Sequence, residues 1–301
     1  MDTTLQIRSV SELHQLLEIG KPLHPLVSVI KHTKDMNLNF EAGLKVNNKL
    51  YFISLKENLQ YNFKYGRKSY DFQEGTLVFM RPQQIITSSG EAEPDLGGWS
   101  VFFHPDLIRG YALSENIQQY SFFDYGVNEG LHVSEKEKLT LYQIIKKIES
   151  ELDQNIDTHS QGIIVHNIET LLKYSLRYYE RQFNTRKDLD KDFIAKFEKY
   201  LLSYFESDLP LKKGIPSVKD CGESVCMSGK YLSDLLKKST GKSITEHIHL
   251  HIVEKAKNKL LNTNDSINEI AYDLGFKFPQ HFSKIFKSKT EISPKEYRIL
   301  N

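Results

Sequence analysis

The 301-residue sequence predicts an α+β protein, in which a β-rich amino-terminal domain is followed by helices and an all-α carboxy-terminal domain. Three observations predict this class. Residues 25–99 contain short apolar or alternating segments separated by Gly, Asn, Asp and Pro, a pattern typical of strands and turns. Residues 134–205 carry apolar side chains at helical spacing. Residues 217–301 contain a helical pattern that occurs twice.

The strand segments, among them LVSVI, KLYFISLKE and GTLVFMRP, recur at intervals of roughly ten to fifteen residues without intervening helical periods. This spacing favours an antiparallel barrel or a sandwich, which we assign to residues 1–130. The interior of such a fold can bind a small ligand among apolar and a few polar side chains. The candidate ligand contacts are Tyr51, Phe52, Phe63, Arg81, Trp99 and Phe102. The alternative is that the aromatic residues among them fill the core.

The sequence lacks the spacing of a metal or catalytic site. A metal centre in a β-barrel needs three or four convergent His and carboxylate ligands, whereas His24, His32 and His104 are isolated. The sequence also contains no Ser nucleophile elbow and no phosphate-binding Gly-rich loop. We therefore expect no metal, no other cofactor and no enzymatic activity.

Three helices are predicted within residues 131–208. The first begins at a capping box of Ser134 and Glu137, in which each side chain bonds to the backbone amide of the other residue. Apolar stripes predict two further helices over about 161–183 and 189–205. This region is therefore expected to connect the two domains through packed helices.

The carboxy-terminal domain follows a predicted linker, LPLKKGIP at 209–216, because Pro and Gly interrupt helices. Its most informative stretch begins at a second capping box, formed by Ser266 and Glu269. Apolar residues then recur at helical spacing up to Gly275, which suits a turn at positive φ. A second apolar stripe occupies 279–289. Two short helices joined by a tight turn form a helix-turn-helix, a motif that binds DNA.

The helix-turn-helix pattern is duplicated. The first-helix pattern at 218–227 precedes its counterpart at 267–276 by 49 residues. The second-helix pattern precedes its counterpart by 50 residues, so that Leu232 corresponds to Phe282. Residues 243–261 contain neither Gly nor Pro and predict one connecting helix, about 28 Å long at 1.5 Å per residue. That length suits two recognition helices in adjacent major grooves, which lie roughly 34 Å apart.

The IAYDLGF turn, the closing SPKEYR and the duplication together resemble the DNA-binding domain of AraC/XylS-family transcriptional regulators. The resemblance implies that residues 217–301 bind promoter DNA and that residues 1–130 form a cupin-like sensing domain. It assigns the recognition helices to 228–238 and 279–289. It also implies a homodimer formed by the helices within 131–208, and RNA polymerase as a partner. The alternative for those helices is packing against the barrel.

Four positions depart from the family pattern. Gly222 and Cys226 stand where the first unit commonly has Ala and the Gly of the turn, which predicts a less regular first unit. Glu291 replaces the Gly that usually follows the second recognition helix, and a non-Gly residue in left-handed geometry costs about 1 kcal/mol. Ile252 stands in the connecting helix where many members have Arg.

Charge is distributed unequally along the chain. Residues 211–301 contain 16 Lys and Arg against 10 Asp and Glu, whereas the rest contains 24 against 29. Basic charge beside phosphate releases counterions, so DNA binding should weaken steeply with salt. Asp234 would repel phosphate, and it either accepts a bond from a cytosine amino group or faces away. The predicted DNA contacts are Ser228, Lys230, Ser233, Lys237, Pro279, Gln280, Ser283, Lys284 and Lys287.

We therefore predict a sequence-specific transcriptional regulator that binds double-stranded promoter DNA, an activator controlled by a small-molecule effector or a partner bound to the amino-terminal domain. The alternative is a DNA-tethered protein-interaction module without a small-molecule ligand. No segment approaches the roughly 18 apolar residues that cross a bilayer, so a cytoplasmic protein is expected. Cys221 and Cys226 are too few for a disulfide framework, and a redox role for this pair stays open.

Overall fold

The computed structural model describes residues 4–33, 42–57, 75–87, 97–126, 129–185 and 187–300. The chain divides into two compact units, Met1–Thr185 and Arg186–Asn301. The first unit combines strands with helices, whereas the described residues of the second unit are all in helices or the turns between them. This arrangement confirms the predicted α+β class with a helical carboxy-terminal domain.

The larger sheet of the first unit is antiparallel. Its strands, in spatial order, are β2 (Val27–Lys31), β7 (Gly98–Phe103), β4 (Tyr51–Lys56), β5 (Gly75–Met80) and β8 (Leu131–Val133). Ile53 and Val101 face each other on the central pair of strands and are fully buried. Side chains of a strand alternate between the two faces of its sheet, so Phe52 and Phe102 form a pair on the opposite face.

The smaller sheet contains β1 (Thr4–Ile7), β3 (Lys45–Asn48) and β6 (Gln84–Thr87), in the order β1-β3-β6. β1 pairs with β3 in parallel, which the sequence did not indicate. A parallel pair requires a long connection, and here it includes α1 (Val10–Leu16) and β2. The predicted alternatives were an antiparallel barrel and a sandwich. The described strands form two sheets and no closed barrel, so the cupin-like barrel is not confirmed.

The remaining helices of the first unit are α2 (Ala112–Asn116), α3 (Glu135–Leu152) and α4 (Ser160–Thr185). The predicted capping box at the start of α3 is confirmed, since the Ser134 amide donates to Glu137 Oε2 at 2.9 Å and the Glu137 amide donates to Ser134 Oγ. α4 packs against β8, where the side-chain amide of buried Gln182 accepts from the His132 amide at 2.8 Å. These helices therefore pack within their own chain.

The second unit consists of α5 (Lys187–Glu206), α6 (Leu209–Lys213), α7 (Val218–Ser224), α8 (Gly229–Thr240), α9 (Ile244–Asn262), α10 (Ile267–Asp273), α11 (Pro279–Thr290) and α12 (Pro294–Leu300). α5 belongs to this unit because Phe197 and Leu201 are buried in the same apolar core as Ile252. The unit therefore begins upstream of the predicted linker at 209–216, which contains α6. No helix in the described ranges combines the length and apolarity needed to cross a bilayer.

Candidate nucleic-acid interface

The first helix-turn-helix is formed by α7 and α8, which approach each other closely at Gly222. A Cβ atom on Gly222 would lie 2.5 Å from the backbone nitrogen of Gly229 and 2.6 Å from the carbonyl oxygen of Met227. Only Gly fits at this contact. Cys226 lies in the turn with φ of 59°, in the left-handed region that non-Gly residues avoid. These are the two positions at which the sequence predicted a less regular first helix-turn-helix.

The second helix-turn-helix is formed by α10 and α11, and its turn contains Gly275 at φ of 89°. A Cβ atom on Gly275 would lie 2.7 Å from the carbonyl carbon of Gly214, so the turn needs Gly for space as well as for φ. Phe282 and Phe286 of α11 are fully buried in the core. The capping box at the start of α10 is confirmed, with the Ser266 amide 2.7 Å from Glu269 Oε2.

The two recognition helices, α8 and α11, begin differently. Ser228 caps α8, because its hydroxyl accepts a hydrogen bond from the Tyr231 amide at 3.1 Å. Phe278 occupies the corresponding position of α11, makes no side-chain capping bond and is 58% exposed. Pro279 follows as the first helical residue, where its missing N–H removes one unpaired donor. The observed bounds extend the predicted recognition helices by one or two residues at their carboxy-terminal ends.

α9 connects the two motifs as a single helix, as predicted, and extends over 19 residues. Its start is stabilised by a capping box in which the Ser243 amide donates to Glu246 Oε2 at 2.8 Å. Ile252 is fully buried in the core, so an apolar side chain suits this position in place of the Arg that the family commonly has. α9 thus holds both motifs on one core.

α12 secures the second motif, a role that sequence analysis did not assign to the SPKEYR segment. The Arg298 guanidinium donates to the carbonyl oxygens of Leu260, at 3.0 Å, and Asp265, at 2.7 Å. It therefore pairs backbone groups at the junction of α9 and α10 that helix ends leave without partners. Tyr297 packs edge-on against Phe286 with ring centroids 5.5 Å apart.

The nine predicted DNA contacts all lie at the surface of the second unit, on α8, on α11 or at the start of α8. Five are exposed: Lys230, Lys237, Gln280, Lys284 and Lys287. Four are half-buried: Ser228, Ser233, Pro279 and Ser283. The structure thus brings the predicted contacts within 228–237 together on α8 and those within 279–287 together on α11. The DNA contacts themselves stay a prediction.

The lysines of the second unit differ in their partners. On α9, Lys257 lies 2.7 Å from Glu254, and Lys259 lies 2.7 Å from Asp273 of α10. On α8, Lys230 lies 3.8 Å from Asp234. The predicted contact lysines that make no ion pair with any described residue are Lys237, Lys284 and Lys287. Lysines without an ion-pair partner on a recognition helix suit binding to phosphate or to guanine acceptors.

The two cysteines are free thiols in different environments. Cys221 is fully buried in the core of the first motif, and burial raises the pKa of its thiol to about 12. A thiol that stays protonated at neutral pH is a poor nucleophile. Cys226 is exposed in the turn. The geometry therefore gives Cys221 a packing role.

The predicted ligand contacts of the first unit do not share one face of the larger sheet. Tyr51 stacks on Phe103 at 4.9 Å between ring centroids and meets Phe123 edge-on at 5.3 Å. Trp99 lies on that same face, is 1% exposed, and its indole N–H has no hydrogen-bond acceptor among the described residues. Phe52 and Phe102 are half-buried on the opposite face, 4.8 Å apart. Phe63 lies outside the described residues.

Arg81, the charged ligand candidate, is held by neighbouring side chains. Its guanidinium donates to both carboxylate oxygens of Asp124, at 2.6 and 3.1 Å, and to Gln118 Oε1 at 2.9 Å. A bidentate pair of this kind fixes the position of the guanidinium plane. Within the described parts of the chain, no three His, Cys, Asp or Glu side chains are grouped to hold a metal ion.

Comparison with known proteins supports a regulatory role. A family model described as a helix-turn-helix domain matches residues 221–299. The chain is 25% identical over 241 residues to an uncharacterised helix-turn-helix transcriptional regulator, YfiF, of Bacillus subtilis, and the match covers 78% of this chain and 72% of that protein. It is 26% identical over 238 residues to the lactose operon transcription activator of Staphylococcus xylosus, covering 78% and 79%.

Among solved structures, the carboxy-terminal domain of AraT, a response regulator from Geobacillus stearothermophilus, is 27% identical to the matched part, which covers 36% of this chain and 85% of that domain, with a TM-score of 0.32. The match to the family model identifies residues 221–299 as a helix-turn-helix domain. Both of these related proteins are transcriptional regulators.

Proposed function

We propose that the chain, which belongs to the AraC family of transcriptional regulators, activates transcription by inserting α8 and α11 into adjacent major grooves of promoter DNA. The distribution of ion pairs carries this proposal. Lys284 and Lys287 of α11 make no ion pair among the described residues, whereas Lys257 and Lys259 of α9 each have a carboxylate within 2.7 Å. Lysines of a recognition helix that make no ion pair are suited to phosphate, because binding then releases counterions.

The core geometry supports the same arrangement. α8 and α11 bury Leu232 and Phe282 at corresponding positions in the core that also contains α9, and their polar sides lie opposite these residues. α9, with 19 residues, has a length of about 28 Å at 1.5 Å per residue. Two recognition helices that both pack on this connecting helix suit binding sites about one helical turn of DNA apart.

Activation, effector control and assembly extend the proposal to the whole chain. The lactose operon transcription activator of Staphylococcus xylosus resembles this chain over most of its length, which favours an activator. The family implies a homodimer, contact with RNA polymerase and a cytoplasmic location. The first unit binds the small-molecule effector or the partner that controls activity. The domain roles of residues 1–130 as sensor and 131–208 as dimerisation region are part of this proposal.

Substitutions on α11 test the DNA-binding assignment. Gln280→Ala removes a candidate base contact and should change preference at one or two base positions by about 1 to 3 kcal/mol. Lys287→Ala removes a candidate phosphate contact and should weaken binding to all sequences alike, with a salt dependence lower by about one counterion. The matched control is Lys257→Ala, which removes a lysine that already has Glu254 as its partner and should leave DNA affinity unchanged.

The measurement is sequencing of the fragments that the purified full-length protein retains from random DNA, followed by titration of the selected site at several salt concentrations. Paired sites about one helical turn apart would support the two-helix arrangement. Equal losses for the Gln280 and Lys287 variants across all sequences would contradict the division into base and phosphate contacts.

A second candidate function is a DNA-tethered protein-interaction module. It is favoured by the packing of the first unit, where Tyr51 and Trp99 are buried in the core and Arg81 is bound to Asp124. Screening a library of sugars and organic acids by thermal shift separates the two candidates. A compound that binds the folded state raises the melting temperature by mass action. A protein-interaction module would show no such rise, and the fluorescence of Trp99, the single Trp, would not respond.

A further inference from the structure

The two recognition helices carry opposite charges at one corresponding position. The 50-residue offset that relates Leu232 to Phe282 also relates Asp234 to Lys284. Both residues follow the buried apolar residue by two positions, which places them about 200° around the helix from it, on the side away from the core. The duplicated fold therefore presents a carboxylate from α8 where it presents an ammonium group from α11.

Asp234 lies in a pair with Lys230, one helical turn earlier on the same face. The Lys230 Nζ atom is 3.8 Å from Asp234 Oδ1, and the two side chains are 47% and 25% exposed. The adjacent Leu235 and Leu236 are fully buried, so the pair cannot turn into the core without moving α8. The ammonium group offsets the charge of the carboxylate and restricts where it points.

The chemistry of the major groove identifies what such a carboxylate can bind. A carboxylate accepts hydrogen bonds and repels phosphate, so its only attractive partners on the base edges are exocyclic amino groups. Those groups belong to cytosine and adenine. Adenine is matched by an amide that both donates and accepts, whereas cytosine presents a donor alone, which suits Asp or Glu. Lysine at the equivalent position instead donates to the O6 and N7 acceptors of guanine.

We propose that α8 selects a cytosine through Asp234, positioned by Lys230, while α11 selects a guanine through Lys284, so that the two halves of the binding site differ in sequence. This inference rests on the proposed docking of both recognition helices in the major groove. It assigns the carboxylate a role in specificity, at the expense of attraction to the DNA backbone.

Two variants of the full-length protein test the inference. Asp234→Ala should lower the discrimination for cytosine at one position from roughly tenfold or more to less than twofold, because the acceptor is lost. It should at the same time bind every sequence more tightly at low salt, because a charge that repels phosphate is removed. Asp234→Asn should move the preference at that position to adenine.

Glu254→Ala is the matched control, since it removes a carboxylate from α9 and should leave the preferred bases unchanged. The measurement is selection from random DNA by each variant, followed by titration of the wild-type site. The selected cytosine is also replaced by its analogue without the 4-amino group. That replacement should weaken DNA binding by the wild-type protein and leave DNA binding by the Asp234→Ala variant unchanged.

The outcomes separate this inference from the proposed function. If the wild-type protein selects no sequence at all, the proposed DNA-binding function fails. If it selects a site and Asp234→Ala binds more tightly with the same base preference, the carboxylate only repels phosphate and the inference is wrong. A wild-type preference for adenine at the position that responds to Asp234 would also overturn the assignment to cytosine.

Discussion

The two helix-turn-helix units share one architecture and place their backbone strain at different points. In the first helix-turn-helix the turn contains Cys226 at φ of 59°, and α8 ends at Gly241 with φ of 77°. In the second helix-turn-helix the turn contains Gly275 at φ of 89°, and α11 ends at Glu291 with φ of 68°. Each unit therefore has one left-handed position filled by Gly and one filled by a residue with a side chain.

The two motifs also differ in the residue at the close contact between their two helices. α7 has Gly222 where it meets α8, whereas α10 has Ala271 at the corresponding position, 49 residues later. A Cβ atom at Gly222 would meet backbone atoms within 2.7 Å, so the first unit uses its Gly for close approach instead of for the turn. A duplicated fold thus tolerates the same strain at either of two places, provided that the core holds both helices.

Among the substitutions that distinguish the two motifs, Gly222→Ala should change the unfolding free energy most. The new methyl group would meet the Gly229 nitrogen at 2.5 Å and the Met227 oxygen at 2.6 Å, and neither backbone atom can rotate away. Overpacking of this kind typically costs up to about 3 kcal/mol of unfolding free energy. Urea unfolding of the full-length protein measures the loss, and specific DNA binding should weaken because α8 is displaced from α7.

Ala271→Gly is the reverse exchange in the second unit and serves as its control. It removes a methyl group without creating a clash, so only the helix propensity and a small buried area are lost, about 1 kcal/mol. Equal losses for the two exchanges would show that the contact at Gly222 can relax, and that the two units are packed alike.

Cys226→Gly and Glu291→Gly should each stabilise the protein by about 1 kcal/mol, because Gly adopts left-handed geometry without a Cβ penalty. The gain is smaller than the loss at Gly222 because no atoms collide at these positions. Thermal unfolding of the two single variants and of the double variant measures it. The sites lie in different units, so the gains should add. A loss of stability on either exchange would mean that the side chain makes a contact worth more than the strain.

The starts of the recognition helices offer a third test. Phe278→Ser should raise the unfolding free energy by about 1 kcal/mol, since the Ser hydroxyl can accept from a first-turn amide and the Phe278 side chain offers no acceptor. Ser228→Ala should lower it by a similar amount, because the bond from the Tyr231 amide is lost. Hydrogen exchange of the first-turn amides of α8 and α11 locates each change. No gain from the Phe278 variant would show that the exposed ring is stabilised by packing.

Local signals in the sequence predicted the helices and their turns well. The capping boxes at Ser134 and Ser266, the positive φ at Gly275 and the left-handed Glu291 each depend on a few neighbouring residues, and all are confirmed. The same Ser-x-x-acid signal at 217–220 and 243–246 was available and marks the starts of α7 and α9. The duplication predicted the shared architecture of both units.

Contacts between distant residues could not be predicted in this way. The apolar stripe of α5 shows that the helix is amphipathic, but not that Phe197 packs in the core of the second unit. Arg298 bonds to a carbonyl 38 residues away, which no local pattern indicates. The parallel pairing of β1 with β3 depends likewise on a long connection. The candidate ligand contacts were chosen by residue type alone, and the structure separates them onto two faces of one sheet.

The smallest expected difference between the two motifs lies in how the capping boxes of α7 and α10 respond to pH. The Ser217 hydroxyl and amide hold the pKa of Asp220 below its usual range, and the Ser266 amide and hydroxyl do the same for the pKa of Glu269. A carboxyl group whose pKa is lower in the folded state stabilises that state above its unfolded pKa, and the contribution is lost as the pH falls. Because Glu ionises at a higher pH than Asp, about 4.3 against 3.9, the second unit should lose its contribution first.

Asp220→Asn and Glu269→Gln isolate the two contributions. At neutral pH each variant should melt slightly below the wild-type protein, and the gap should narrow as the pH falls from about 5 to about 3, beginning near about 4.3 for Glu269→Gln and near about 3.9 for Asp220→Asn. Melting temperatures over a pH series measure both gaps. Gaps that stay constant over that range would mean that the caps act through their neutral hydrogen bonds, and that the two units do not differ in their response to acid.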